Sequence, residues 1–163
     1  MNFARVVHAL TDNDVDFLIV GDWCAMLHGA EHAYNKVELF YSPTSGNPRR
    51  LVQALAAFHP RLRDLPDGLP FIWDEASLNS ATILTLATDL GAIDLLAEVS
   101  GVGSFEEVKS QSIDVEAFGR VVRTLDLESL IKSKRAAGRQ KDLEALDELE
   151  SLREAHDPGD SGV

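Results

Sequence analysis

Residues 17–43 read FLIVGDWCAMLHGAEHAYNKVELFYSP, and the order of pieces within them sets the architecture. The run Val15–Val20 is short, almost continuously apolar and stops at Gly21, as expected of a strand buried on both faces. Asp22–Gly29 reads as a two-turn helix, with Asp22 placed to cap its start and Gly29 to end it. Lys36–Ser42 is then a second strand, closed by the break at Pro43-Thr44-Ser45-Gly46. A strand, a glycine turn and a helix in succession present backbone N–H groups at the helix start, a general anion site.

Outward from this stretch the pattern stays α/β. Phe3, Val6, Val7 and Leu10 fall at helical spacing before it. After it, Asn47 and Pro48 open a helix with Leu51, Leu55 and Phe58 on one face. Residues 61–81 are rich in proline and turn formers and read as a surface wrap. TILTLATDLGAIDLLAEVSG gives two strands joined at Asp89-Leu90-Gly91, and SIDVEAFGRVVRTLD a further pair around Gly119. GVGSFEEV, between them, reads as loop. From Leu127 the chain is helical, and 156–163 is a polar, glycine-rich tail. The expectation is a single domain over 1–155: a mixed β-sheet flanked by helices, with helices at the C-terminal end and a flexible tail over 156–163.

The 163 residues, 45 per cent of them apolar, are ordinary for a globular protein with one core. No apolar run approaches the ~20 residues of a membrane span, and Arg5 is followed by Asp12, Asp14 and Asp16 rather than a signal-peptide pattern. The one cysteine, Cys24, rules out a disulfide framework and a multi-cysteine zinc site. The cytoplasm is the default location. A net charge of −12 disfavours DNA or RNA, which are bound through clustered Lys and Arg. From Asp142 onward eight Asp and Glu face only Arg153, so a smaller basic site elsewhere stays open.

In their order and spacing, DFLIVGDWCAMLHGA, NPRRLVQALAAFHPRLR, LPFIWD, TLATDLGAIDLLAEVSGVGSFEEV and LDLESLIKSKRAAGRQKDLEAL resemble the nucleotidyltransferase superfamily. The likeness is to its small stand-alone bacterial members, akin to toxins of abortive-infection and toxin–antitoxin systems, and it covers nearly the whole chain. It implies a small-residue turn after the first strand that contacts phosphates, two Asp at alternate positions of the next strand, and a third acid on a later one. Those carboxylates would hold two magnesium ions, which take hard oxygen ligands and stabilise both the entering and leaving oxygens of an in-line displacement.

This chain departs from that pattern. Gly21 suits the turn, but Asp22 stands at the second small position, where its carboxylate repels phosphate and competes for the helix N–H groups. Counted from Gly21, the paired acids fall on Val37 and Leu39, with Glu38 on the opposite side of the strand. Glu38 is one substitute acid where two are needed. Asp94, in GAIDLLAEV, matches the third acid. The cationic run IKSKRAAGRQKD is the remaining functional candidate: Lys132, Arg135 and Arg139 would form one helical stripe, and Lys132, Lys134, Arg139 and Lys141 would face a phosphate. His28 and His32 are the one histidine pair at metal-ligand spacing, with Gly29 between them.

The expectation is therefore a nucleotidyltransferase-fold pseudoenzyme that has lost metal-dependent transfer and acts by binding or association, with no metal or other cofactor. Its ligand would be a nucleotide or small anion, or it would pair with a protein partner or a second copy through the leucines at 143, 146, 149 and 152. The alternatives are an active magnesium enzyme using a displaced set (Glu38, Asp94 and Asp22 or Glu31) and a toxin-like or regulatory protein-binding module.

Overall fold

The computed structural model describes residues 1–31, 36–66 and 68–155, so the tail beyond 155 and His32 lie outside the described residues. Helix α1 (Phe3–Asp12) precedes β1 (Phe17–Val20), α2 (Gly21–Leu27), β2 (Lys36–Tyr41) and α3 (Asn47–Leu55), with a 3-10 turn at Ala56–Phe58. Then come β3 (Arg61–Leu62), α4 (Glu75–Leu78), β4 (Ile83–Thr88), β5 (Gly91–Leu96) and α5 (Phe105–Ser110). The chain closes with β6 (Ile113–Ala117), β7 (Arg120–Thr124), α6 (Leu127–Ala137) and α7 (Gln140–Ala155).

One mixed sheet runs β3-β4-β5-β2-β1-β7-β6. Strand β1 is central, antiparallel to β2 and parallel to β7, and all four of its residues are buried. This is the doubly covered strand that the apolar run predicts. Strand β2 lies parallel to β5 with Glu38 beside Asp94, and β4 returns antiparallel to β5. Both hairpins turn where the sequence places them. Gly91 opens β5 at φ 119°, and Phe118-Gly119 takes φ 53° and 78°, the left-handed pair that a two-residue hairpin favours.

Helix α1 buries Val6, Val7 and Leu10, the face read from its spacing. Helix α3 differs in one detail: Gly46, not Asn47, is its cap residue. Asn47 is fully buried and fastens the preceding loop instead, accepting from the Asp16 N–H at 2.7 Å and donating to the Ser42 and Asp16 carbonyls. Two segments read as irregular are ordered locally. Strand β3 forms inside the Pro-rich wrap, and GVGSFEEV opens α5, whose cap Ser104 accepts from the Glu107 N–H. Phe105 of α5 covers Phe40 edge-on, ring centres 5.2 Å apart, which closes one end of the polar face of β2.

Candidate functional site

Alternation along β2 gives the sheet two unlike faces. Val37 and Leu39 are 0% exposed, in register with the buried Ile93 and Leu95 of β5. Lys36 and Glu38 face the other way, alongside Asp94 and Thr85. This corrects the positions counted from Gly21: Val37 and Leu39 belong to the core, and Glu38 shares the open face with Asp94. The count runs across the α2–β2 connection, and an error of one residue there reverses every side chain on the strand.

The open face floors a cleft of about 490 Å³, walled opposite by the junction of α6 and α7. Four cationic side chains (Lys36, Arg63, Lys134, Arg139) and four carboxylates (Glu38, Asp94, Glu98, Asp142) line it, so the lining carries no formal excess of either sign. Gly21 forms the end of the cleft at φ 68°, and a Cβ there would overlap the Glu38 carboxylate that folds over it. Any side chain at position 21 would be strained and would displace Glu38.

Two charge groups organise this lining. On the sheet side, Lys36 Nζ donates to Asp94 Oδ2 at 3.0 Å and lies 3.5 Å from Glu38 Oε1. Arg63 donates to Asp94 Oδ1 at 2.6 Å and is itself held by the Leu86 carbonyl at 2.9 Å. Burial by itself would lower the pKa of Lys36, but the Asp94 hydrogen bond and the charges of Glu38 and Asp94 outweigh it and hold the ammonium above its ordinary value. On the helix side, Lys134 Nζ lies 2.9 Å from Asp22 Oδ1 and 3.5 Å from Asp142 Oδ1, and Arg139 reaches Asp142 Oδ2 at 2.6 Å.

Asp22 thus differs from its expected role. Helix α2 begins one residue earlier, at Gly21, with Val20 in the cap position, and Asp22 sits in the first turn as a partner of Lys134. The cationic stripe is also broken. Gly138, at φ 66°, ends α6, so Arg139 stands in the elbow before α7 and not on the helix that carries Lys132 and Arg135. Lys132 and Lys141 are exposed and lie off the cleft, whereas Lys134 and Arg139 line it. Glu31 also lies off the cleft, its N–H donating to Glu148. His28 is engaged by the Leu125 carbonyl at 2.7 Å.

A hard divalent cation needs oxygens free to turn toward it. Here both acids of the floor are already engaged by cations, and the Lys36 ammonium occupies the space they share. Among the described residues no group of three or more His, Cys, Asp or Glu side chains is disposed to hold a metal. The donor set does not fit magnesium.

No protein-family model and no curated protein sequence matches the chain. Solved structures do. The antibiotic-resistance factor ANT(2'')-Ia superposes in its solution structure with TM-score 0.54 at 14% identity, over 97% of this chain and 90% of that one. Its crystal structure, in complex with adenylyl-2''-tobramycin, gives 0.53 at 14% over 93% and 92%. The lincosamide antibiotic adenylyltransferase LnuA, bound to lincomycin, gives 0.59 at 11% over 90% and 93%. A candidate nucleotidyltransferase of Thermotoga maritima gives 0.50 at 12% over 94% and 89%.

The chain has the nucleotidyltransferase fold. Within that fold its cleft is built from Lys36, Glu38, Asp94 and Arg63 on one wall and Lys134, Arg139 and Asp142 on the other. Lys36, Arg63 and Asp142 are the members that reading the sequence missed. The alternation Lys-Val-Glu-Leu was the available signal for Lys36, because period two sets Lys36 and Glu38 against the apolar pair. Arg63 arrives from the Pro-rich wrap through β3, and no local pattern announces it.

Proposed function

We propose that this nucleotidyltransferase-fold protein does not transfer nucleotides and acts by binding, its cleft receiving a small phosphate-bearing ligand such as a nucleotide. The observation that carries the reading is Lys36 Nζ held between Glu38 and Asp94. An ammonium there supplies positive charge to the cleft floor and fills the gap between Glu38 and Asp94 that a catalytic metal would need. Lys134 and Arg139 on the opposite wall are the groups that a phosphate would recruit, by exchanging Asp22 and Asp142 for phosphate oxygens.

The test is transfer from each of the four ribonucleoside triphosphates, α-labelled, to small-molecule and protein acceptors with Mg²⁺ or Mn²⁺. The expected result is no labelled product. Turnover that disappears in Asp94→Ala would replace this reading with the second one, an active enzyme using a displaced carboxylate set. That alternative draws its support from Glu38 and Asp94 standing side by side on one face.

A further inference from the structure

We infer that Lys36 is a tethered cation that takes the place of a divalent metal in the cleft, and that this one side chain keeps the cleft from binding such metals. The inference rests on the binding reading above and names what maintains it. Three observations converge. Lys36 and Glu38 lie two apart on β2 and therefore share a face. The parallel register sets Lys36 beside Ala92 and Glu38 beside Asp94, so the ammonium reaches diagonally into the gap between the two acids. It lies 3.0 Å from one carboxylate and 3.5 Å from the other, while Arg63 occupies the remaining oxygen of Asp94 from the far side.

The acids themselves are well placed as ligands. Their side chains are only 16% and 8% exposed, on neighbouring strands of a rigid sheet, and Glu38 is further confined against Gly21. What the cleft floor lacks is a third oxygen and a vacancy, and position 36 controls both. A lysine fills the gap with fixed positive charge. An aspartate at the same point would empty it and contribute an oxygen from the same face.

The inference makes position 36 a switch between two electrostatic states of one scaffold. Lys36→Asp exchanges one repulsive unit charge for an attractive one a few ångströms from the metal position. At such range near a protein surface this amounts to a gain of roughly a hundredfold or more in affinity.

The experiment is titration of the full chain with Mn²⁺ in the absence of nucleotide, read by electron paramagnetic resonance of the free ion and by calorimetry. The variants are Lys36→Asp, Lys36→Met, Asp94→Asn and Lys36→Asp combined with Asp94→Asn, each first shown to melt cooperatively. The expected result is no saturable site in the wild type, one site in Lys36→Asp, a weaker one in Lys36→Met, and loss of the site in the double variant. A saturable wild-type site that Asp94→Asn removes overturns the inference, as does a folded Lys36→Asp that binds no Mn²⁺. If Lys36→Asp does not fold, Lys36→Met decides alone, because it removes the ammonium without adding a carboxylate. The readout is separate from transfer: failure to gain a metal overturns this inference and leaves the binding reading intact, whereas wild-type turnover overturns that reading directly.

Discussion

Asp142 is fully buried and serves two cations at once, Arg139 through Oδ2 and Lys134 through Oδ1. Burial favours the protonated acid, but the hydrogen bond from Arg139 and the charges of Arg139 and Lys134 prevail and hold the carboxyl below its ordinary range. A carboxylate whose folded pKa is depressed adds stability above its unfolded pKa, about 3.9, and that contribution is lost as pH falls through the folded value. Asp142→Asn leaves the nearly buried Lys134 paired with the Asp22 carboxylate. The expected loss at neutral pH is about 3 kcal/mol, at the low end for a broken buried pair because Arg139 is more than half exposed. Urea unfolding of both proteins across the acid range checks it: the gap should narrow below about pH 4, where the wild type protonates as well. A gap that stays constant with pH would mean that the cost is lost packing and not lost charge.

At the scale of elements, β2 decides what the molecule can do, since its two faces carry opposite instructions. Leu39 is enclosed between Ile19 of β1 and Leu95 of β5, and Val37 lies beside Ile93. Leu39→Asp and Val37→Asp each bury a carboxylate with no cation near, and either should cost more than about 4 kcal/mol or abolish the cooperative transition. Lys36→Asp, one residue away but on the cleft face, should retain it. Thermal melts followed by far-ultraviolet circular dichroism separate these outcomes, and a Leu39→Asp protein melting like the wild type would contradict the register. The same strand explains what was legible in the sequence. Hairpin turns are written locally, so the turns at Asp89-Leu90-Gly91 and around Gly119 are legible in the sequence. Helix α5 was equally local, in the Ser104…Glu107 spacing of a capping box, but its brevity hid it among glycines. The cleft was harder because it depends on phase. A count from Gly21 could be wrong by one, and one residue separates a hydrocarbon face from Lys36 and Glu38. Arg63 comes from a segment 31 residues from Asp94, and only the assembled sheet brings the two together.

Across the whole molecule, the two cleft walls are tied together beneath the cleft. Thr124 and Leu125, at the end of β7, both donate to the Ile19 carbonyl of β1, at 2.8 and 3.3 Å. The Leu125 carbonyl in turn receives the Cys24 thiol at 3.5 Å and engages His28 Nε2, so α2 is fixed to the segment that leads into α6. Helix α6 then carries Lys134 back to Asp22 on α2. Cys24 lies at the centre of this junction, 0% exposed, and burial pushes its thiol pKa up to about 12. A thiol so placed reacts only when the junction opens, because the thiolate is the nucleophile and neither reagent nor proton acceptor reaches it in the folded protein. At about pH 8 a chromogenic disulfide reagent should therefore leave the native protein unlabelled over minutes, and modify one thiol at once in denaturant. If the two walls open only by global unfolding, the slow native labelling rate should rise as the unfolding free energy falls, and so be faster in Asp142→Asn than in the wild type. Labelling that is fast in the wild type, or indifferent to that substitution, would mean instead that β1 and α2 separate from α6 locally. The cleft would then be a hinge between two walls and not a fixed groove.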